Sequence, residues 1–200
     1  MNNEYVIRTN KSFLKKFNLS DLQDCLIDQS LLDACVYDIN DKLDIKPHII
    51  VCNKQVNQQR DVGFFSDKSI GYYYTHSLAK SKPMTMNLDL LLDLINEMFG
   101  ANFNGILINR YSSGLEYIGA HSDDEKNLDA SGVIAISYGG ERTFRIRDKK
   151  TKQIVENIPM KNLDILHMGG NFQKEFTQEV PLTKKIIEPR YSFTFRYHFI

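Results

Sequence analysis

At 200 residues, with 42% hydrophobic and 25% charged side chains, the chain carries enough apolar surface to bury a sizeable core, which excludes a disordered or fibrous polymer. Lys and Arg together number 25 and so do Asp and Glu, so net charge is zero and no global positive field marks a polyanion partner. No apolar run approaches the ~20 residues that a membrane-spanning helix needs, and the opening MNNEYVIRTNKSF has no basic segment leading into an apolar one.

These features set the expectation of a soluble, intracellular monomer made of one domain over 1–200, with no membrane partner. Cys25, Cys35 and Cys52 are odd in number and lack a C-x-x-C pair, so they read as thiols in a reducing compartment without metal or disulfide chemistry. In chain order, the first predicted element is an amphipathic helix that Ser20 caps and that continues to Val36. The second runs from Asn87 to Phe99. Its apolar stripe is Leu88, Leu91, Leu92, Ile95, Met98 and Phe99, with Asn87 as the cap and Gly100 at the exit. Both stripes read as core packing.

Beyond Gly100 the period changes from helical to extended. Short segments rich in β-branched and aromatic residues, at 105–111, 132–138, 143–147, 153–158, 164–168, 172–180 and 191–199, are separated by Gly, Asp, Asn or Pro. They predict a β-sandwich or barrel in the carboxy half. Arg142, Arg145, Arg147, Lys149, Lys150 and Lys152 crowd one of its hairpins, which suits either a phosphate-gripping patch or a solvated, charged rim.

Two segments carry chemistry. In Gly119-Ala120-His121-Ser122-Asp123-Asp124-Glu125, His121 and Asp123 stand two apart, so on an extended backbone they point the same way about 7 Å apart, close enough to share an ion. In the last strand, alternation puts Arg190, Ser192, Thr194, Arg196 and His198 on one face and aromatics on the other. The aromatic face belongs in a core. The second face is either solvent-exposed or lines a polar interior that holds an anion.

The ordered set Asn109-Arg110-Tyr111, His121 to Glu125, Ser137-Tyr138-Gly139 with Arg142-Thr143-Phe144, and Arg190 to Arg196 resembles the AlkB family of Fe(II)- and 2-oxoglutarate-dependent dioxygenases. The resemblance implies an α+β fold: a double-stranded β-helix (jelly-roll) core at 101–200, with helices packed outside it and a nucleotide-recognition lid within 1–100. Fe(II), 2-oxoglutarate and O2 are the implied cofactor and cosubstrates. His121 and Asp123 would be metal ligands, Arg196 would hold the far carboxylate of 2-oxoglutarate, Asn109 and Tyr111 would hydrogen-bond along it, and Arg190 and Ser192 would complete the wall. The implied reaction is oxidative demethylation of alkylated nucleobases in single-stranded or flipped-base DNA or RNA. Arg60 to Ser66 and Gly71 to Thr75 resemble the lid, with Arg60, Phe65, Tyr72, Asp124 and Glu125 as candidates for contacting the base.

The third metal ligand departs from the family pattern. A histidine is expected where this chain has Gln178, in Phe176-Thr177-Gln178-Glu179-Val180-Pro181. Three accounts stand open on sequence: the Gln178 amide oxygen serves as a weaker ligand, the site has been lost to leave a nucleic-acid-binding module, or the residue is an introduced, silencing change.

Overall fold

The computed structural model describes residues 4–51, 53–74, 77–123, 131–185 and 187–198. Two strands, β1 (Glu4–Arg8) and β2 (Ser12–Asn18), lead through a tight helical turn at Leu19–Asp21 into helix α1 (Gln29–Ile39). Then come β3 (His48–Val51), β4 (Lys54–Asn57), β5 (Asp61–Phe65), β6 (Gly71–Tyr74) and β7 (Ser77–Lys80). Helix α2 (Met86–Phe99) precedes β8 (Gly105–Tyr111), β9 (Ile118–His121), β10 (Val133–Gly139), β11 (Arg142–Asp148), β12 (Ile154–Met160) and β13 (Asp164–Gly170). A single turn, α3 (Phe172–Glu175), enters β14 (Phe176–Val180), and β15 (Arg190–Arg196) follows.

The larger sheet has seven strands in the order β1-β2-β13-β10-β15-β8-β5, and a four-stranded sheet in the order β12-β11-β14-β9 closes over one face of it, giving the jelly roll that was expected. Period-two alternation sorts the side chains of the larger sheet into two layers. Ile106, Ile108, Ile134, Ile136, Ile165, Tyr191, Phe193 and Phe195 share a core with Leu32, Cys35 and Ile39 of α1 and with Leu88, Leu91, Leu92 and Ile95 of α2. The opposite face, with Val133, Leu166 and Met168, packs against Ile146, Ile158, Phe172 and Phe176 from the smaller sheet and its approach. Further along that same face the apolar filling gives way to Asn109, Arg190, Ser192 and Thr194, all buried.

Several boundaries differ from the sequence reading. Ser20 lies in the turn at Leu19–Asp21, where Asn18 caps it, and α1 starts only at Gln29, with the Asp28 carboxylate accepting from Leu31 N–H at 2.9 Å. Thr85 rather than Asn87 caps α2; the Asn87 amide instead donates to Asp38 of α1 at 3.0 Å and ties the helices together. Gly100 does end α2, at φ 58°, the left-handed conformation that glycine adopts without strain. The segment 172–180 splits into α3 and β14, and β15 ends at Arg196. Residue 100 is no edge of the sheet, because β2 pairs with β13, and β5 with β8.

Phe193 is fully buried between sheet and helices, so Phe193→Ala is expected to cost about 3 to 5 kcal/mol in denaturant unfolding. Tyr37, on the outer surface of α1 at 85% exposure, provides the contrast: Tyr37→Ala should stay within about 0.5 kcal/mol of the parent.

Candidate active site

The pairing of β9 with β14 places His121 directly opposite Gln178. His121 Nδ1 lies 2.8 Å from Gly119 O, which fixes the proton on that nitrogen and leaves the lone pair on Nε2, 4.0 Å from Asp123 Oδ1. Burial, reinforced by the guanidinium groups of Arg60 and Arg196, pushes the imidazole toward its neutral form against the pull of Asp123. Burial would raise the Asp123 carboxyl, but Arg196, His121 and a hydrogen bond from Gln178 outweigh it and hold the group below its ordinary range. Asp123 is therefore an ionised carboxylate in a site where only 7% of its surface meets solvent.

That carboxylate is closely surrounded by side chains. Arg196 Nη1 lies 3.1 Å from Oδ1. Gln178 Nε2 donates to Oδ2 at 2.9 Å and to Gln173 Oε1 at 3.1 Å, so both of its N–H groups are used. Gln173 Oε1 also accepts from the Asp123 backbone N–H at 2.9 Å. Gln178 Oε1 is buried and has no hydrogen-bond partner among the described residues. Gln173 escaped the sequence reading because its segment resembled a strand; the turn of α3 is what aims it at Gln178.

A cavity runs from this cluster along the inner face, lined by Arg60, Asn109, Tyr111, His121, Asp123, Gln178, Arg190, Ser192 and apolar neighbours. Its wall is built by register: Ser192 faces Asn109 and Arg190 faces Tyr111 across β15 and β8. Arg190 donates through Nε to Ser137 Oγ at 2.9 Å, its guanidinium sits 5.4 Å from the Tyr111 ring centre, and its Nη1 has no partner among the described residues. Burial, with some help from Arg142, draws its pKa down to about 10, which still leaves it charged at neutral pH. Ser137 was read only as part of a motif; its place beside Arg190 follows from the pairing of β10 with β15.

The expectation that Arg196 holds the far carboxylate needs correction on geometry. Arg196 is fully buried against Asp123, does not line the cavity, and lies six residues, or about 20 Å of extended chain, from Arg190. Arg190 is the guanidinium at the end remote from His121. Phe65 also departs from its assigned place. It is completely buried in the helix-facing core and has no face to offer a base, because alternation along β5 turns Phe65 to the helices and Phe64 to the sheet interior. Arg60 is buried too, its Nε 2.6 Å from Asn109 Oδ1, so it belongs to the cavity wall rather than to an outer flap. Tyr72 lies in β6 opposite Ala79. Asp124 and Glu125 lie outside the described residues.

Two further histidines among the described residues pack on aromatic rings, and His198 also acts on Asp123 through its charge. His167 Nε2 lies 2.8 Å from Ser131 O, and its ring packs edge-on to Phe13 and Phe99. The His198 ring packs against Phe64 at 4.5 Å. Among the described residues no three His, Cys, Asp or Glu side chains converge on one point. The basic hairpin is largely spent internally: Arg142 is buried, donating to the carbonyls of Glu116 at 2.7 Å and Pro181 at 2.8 Å, while Arg145 and Arg147 share the Glu179 carboxylate.

The profile of the 2OG-Fe(II) oxygenase superfamily matches residues 14–196. The chain belongs to that superfamily. Within this superfamily it is AlkB-like. It is 29% identical over 140 residues to the human DNA oxidative demethylase ALKBH2, covering 66% of this chain and 54% of that one. It is 35% identical over 118 residues to the human alpha-ketoglutarate-dependent dioxygenase alkB homolog 3, covering 54% and 41%. The Arabidopsis thaliana ALKBH2 is 26% identical over 181 residues, covering 76% and 57%. The chain thus spans about half the length of these curated relatives. The solved structure of OsALKBH1 superposes with a TM-score of 0.63 over 98% of this chain and all of that one at 12% identity, which speaks to the fold alone.

An oxygenase of this superfamily needs three converging lone-pair donors for Fe(II), two imidazoles and one carboxylate. Here His121 and Asp123 meet the requirement and the third position does not. Gln178 turns its N–H groups inward, and presenting Oε1 instead would break two hydrogen bonds and press that oxygen toward two others. The residues present do not make a complete Fe(II) site.

Because Phe65 packs among core residues of α2, Phe65→Ala is expected to lower stability by about 3 to 5 kcal/mol in thermal or denaturant melts. A loss of nucleic-acid affinity at unchanged stability would instead return Phe65 to the substrate surface.

Proposed function

We propose that this chain recognises alkylated nucleobases in DNA or RNA and binds 2-oxoglutarate in the cavity between His121 and Arg190, and that the oxidative demethylation typical of AlkB-like proteins is held back by Gln178. The observation that carries the cosubstrate reading is Arg190: a buried, charged guanidinium whose Nη1 has no partner among the described residues, in a wall it shares with Tyr111, Asn109 and Ser192. Burying such a charge without an anion is costly, and a carboxylate is the ligand whose geometry fits a planar two-point donor. In this reading Arg190 takes the far carboxylate, Tyr111 and Asn109 order the carbon chain, and Ser192 shapes the wall, while Arg196 positions Asp123.

The family reaction removes an N-methyl group with Fe(II), 2-oxoglutarate and O2, so a base would have to leave its stack and enter the mouth of the cavity. Names of relatives such as DNA oxidative demethylase support the nucleobase assignment. Tyr72, Asp124 and Glu125 remain candidates for contacting that base on the family resemblance alone, and Phe65 is withdrawn. The hydrogen bond from Gln178 to Asp123 favours a second, narrower reading, a nucleic-acid-binding module without chemistry.

A turnover assay separates the two. With methylated single-stranded DNA or RNA, Fe(II) and 2-oxoglutarate, Gln178→His is expected to release succinate and formaldehyde at a rate well above the parent. Absence of turnover from both proteins leaves the binding module and removes the enzyme. Arg190→Lys keeps the charge but loses the planar fork, so 2-oxoglutarate affinity should fall about ten- to a hundredfold in calorimetric titration.

A further inference from the structure

We infer that the cavity holds a five-carbon dicarboxylate without a metal ion, because Gln178 and Arg196 together satisfy the Asp123 carboxylate that an ion would otherwise hold. The inference rests on the cosubstrate reading of Arg190 and goes beyond it in saying what the opposite end of the cavity does.

Each oxygen of Asp123 has a partner: Oδ1 has Arg196 Nη1 at 3.1 Å and Oδ2 has Gln178 Nε2 at 2.9 Å. Gln173 fixes the arrangement from behind, accepting from both the Asp123 backbone N–H and Gln178 Nε2. A histidine at 178 would turn a lone pair into this space and leave Oδ2 in need of a cation. The amide supplies the hydrogen-bond donor itself and removes that need. All four groups are buried, so water does not compete for these contacts. The positive charge at the other end of the cavity is untouched by the amide at 178, since among the described residues Arg190 is bound through Nε to Ser137 and through its face to Tyr111, and its Nη1 has no partner.

Two consequences follow for ligand selection. A 2-oxo group gains most of its recognition by chelating a metal, so in a metal-free pocket the oxo group contributes little and glutarate becomes nearly as good a ligand as 2-oxoglutarate. Affinity then rests on the Arg190 pair and on the fit of the chain against Tyr111 and Asn109.

The test is calorimetric titration of the whole protein with 2-oxoglutarate and with glutarate, in EDTA and separately in Mn(II). The parent is expected to bind both ligands in EDTA with affinities within about threefold of each other, unchanged by Mn(II), where tenfold corresponds to about 1.4 kcal/mol. Gln178→His should bind 2-oxoglutarate at least about tenfold more tightly than glutarate, and only when Mn(II) is present. Tightening of 2-oxoglutarate by about tenfold or more when Mn(II) is added to the parent overturns the inference and leaves the pocket reading intact. Failure of both dicarboxylates to bind under every condition rejects the pocket reading and the inference with it, and binding of 2-oxoglutarate but not glutarate in EDTA overturns the inference alone. The decision rests on the parent protein, so it survives a Gln178→His variant that does not fold.

Discussion

The buried carboxylate of Asp123 is the group around which this site is organised. It follows β9 of the smaller sheet, and its cationic partner Arg196 ends β15 of the larger one, so a single ion pair at 3.1 Å joins the two sheets where the cavity begins. A carboxylate with so little solvent stays ionised only if its oxygens are matched, and removing one partner of such a pair typically costs about 3 to 5 kcal/mol. Gln178 and Gln173 complete the match with amide hydrogen bonds. Gln178, where the family resemblance led us to expect a metal-ligating histidine, serves here as a structural contact.

The far end of the cavity obeys the opposite logic. Arg190, Arg142 and Tyr111 form a stack in which both guanidinium groups lie 5.4 Å from the phenol ring centre, and the two charges repel. Arg142 is tied down by backbone carbonyls and cannot turn to a ligand without opening the loops that carry them. Arg190 keeps a donor in reserve. The carboxylate at one end of the cavity is matched and the guanidinium at the other is not, an asymmetry that in the proposed reading would orient a dicarboxylate between them.

The basic hairpin is more sparing with charge than its composition implies. Arg145 and Arg147 converge on Glu179, whose side chain points away from the cavity while its neighbour Gln178 points in, as alternation along β14 requires. Lys149 reaches the Gln173 carbonyl at 3.1 Å. Only Lys150 and Lys152 of that hairpin remain exposed, so the count of basic residues in a segment overstates what a phosphate backbone would meet.

The strands of the carboxy half, the two unlike faces of β15 and the pairing of His121 with Asp123 were legible in the sequence, because strand alternation and short-range spacing are local properties that survive into any sheet; the jelly roll and the interest of position 178 came from the family resemblance. The departure at Gln178 was visible as well. Local pattern could not reveal that β2 and β5 complete the larger sheet, since their partners lie far along the chain and pairing is settled by which edges are left uncovered. Nor could it tell Arg190 from Arg196. Both have the same side chain on the same face of one strand; the register of β15 on β8 brings Arg190 to Tyr111, and the packing of the smaller sheet brings Asp123 to Arg196. Phe65 makes the same point in reverse. An aromatic on a strand beside the cavity looks like a base platform until α2 is laid over it, and burial, a property of the assembled layers, belongs to the tertiary structure alone.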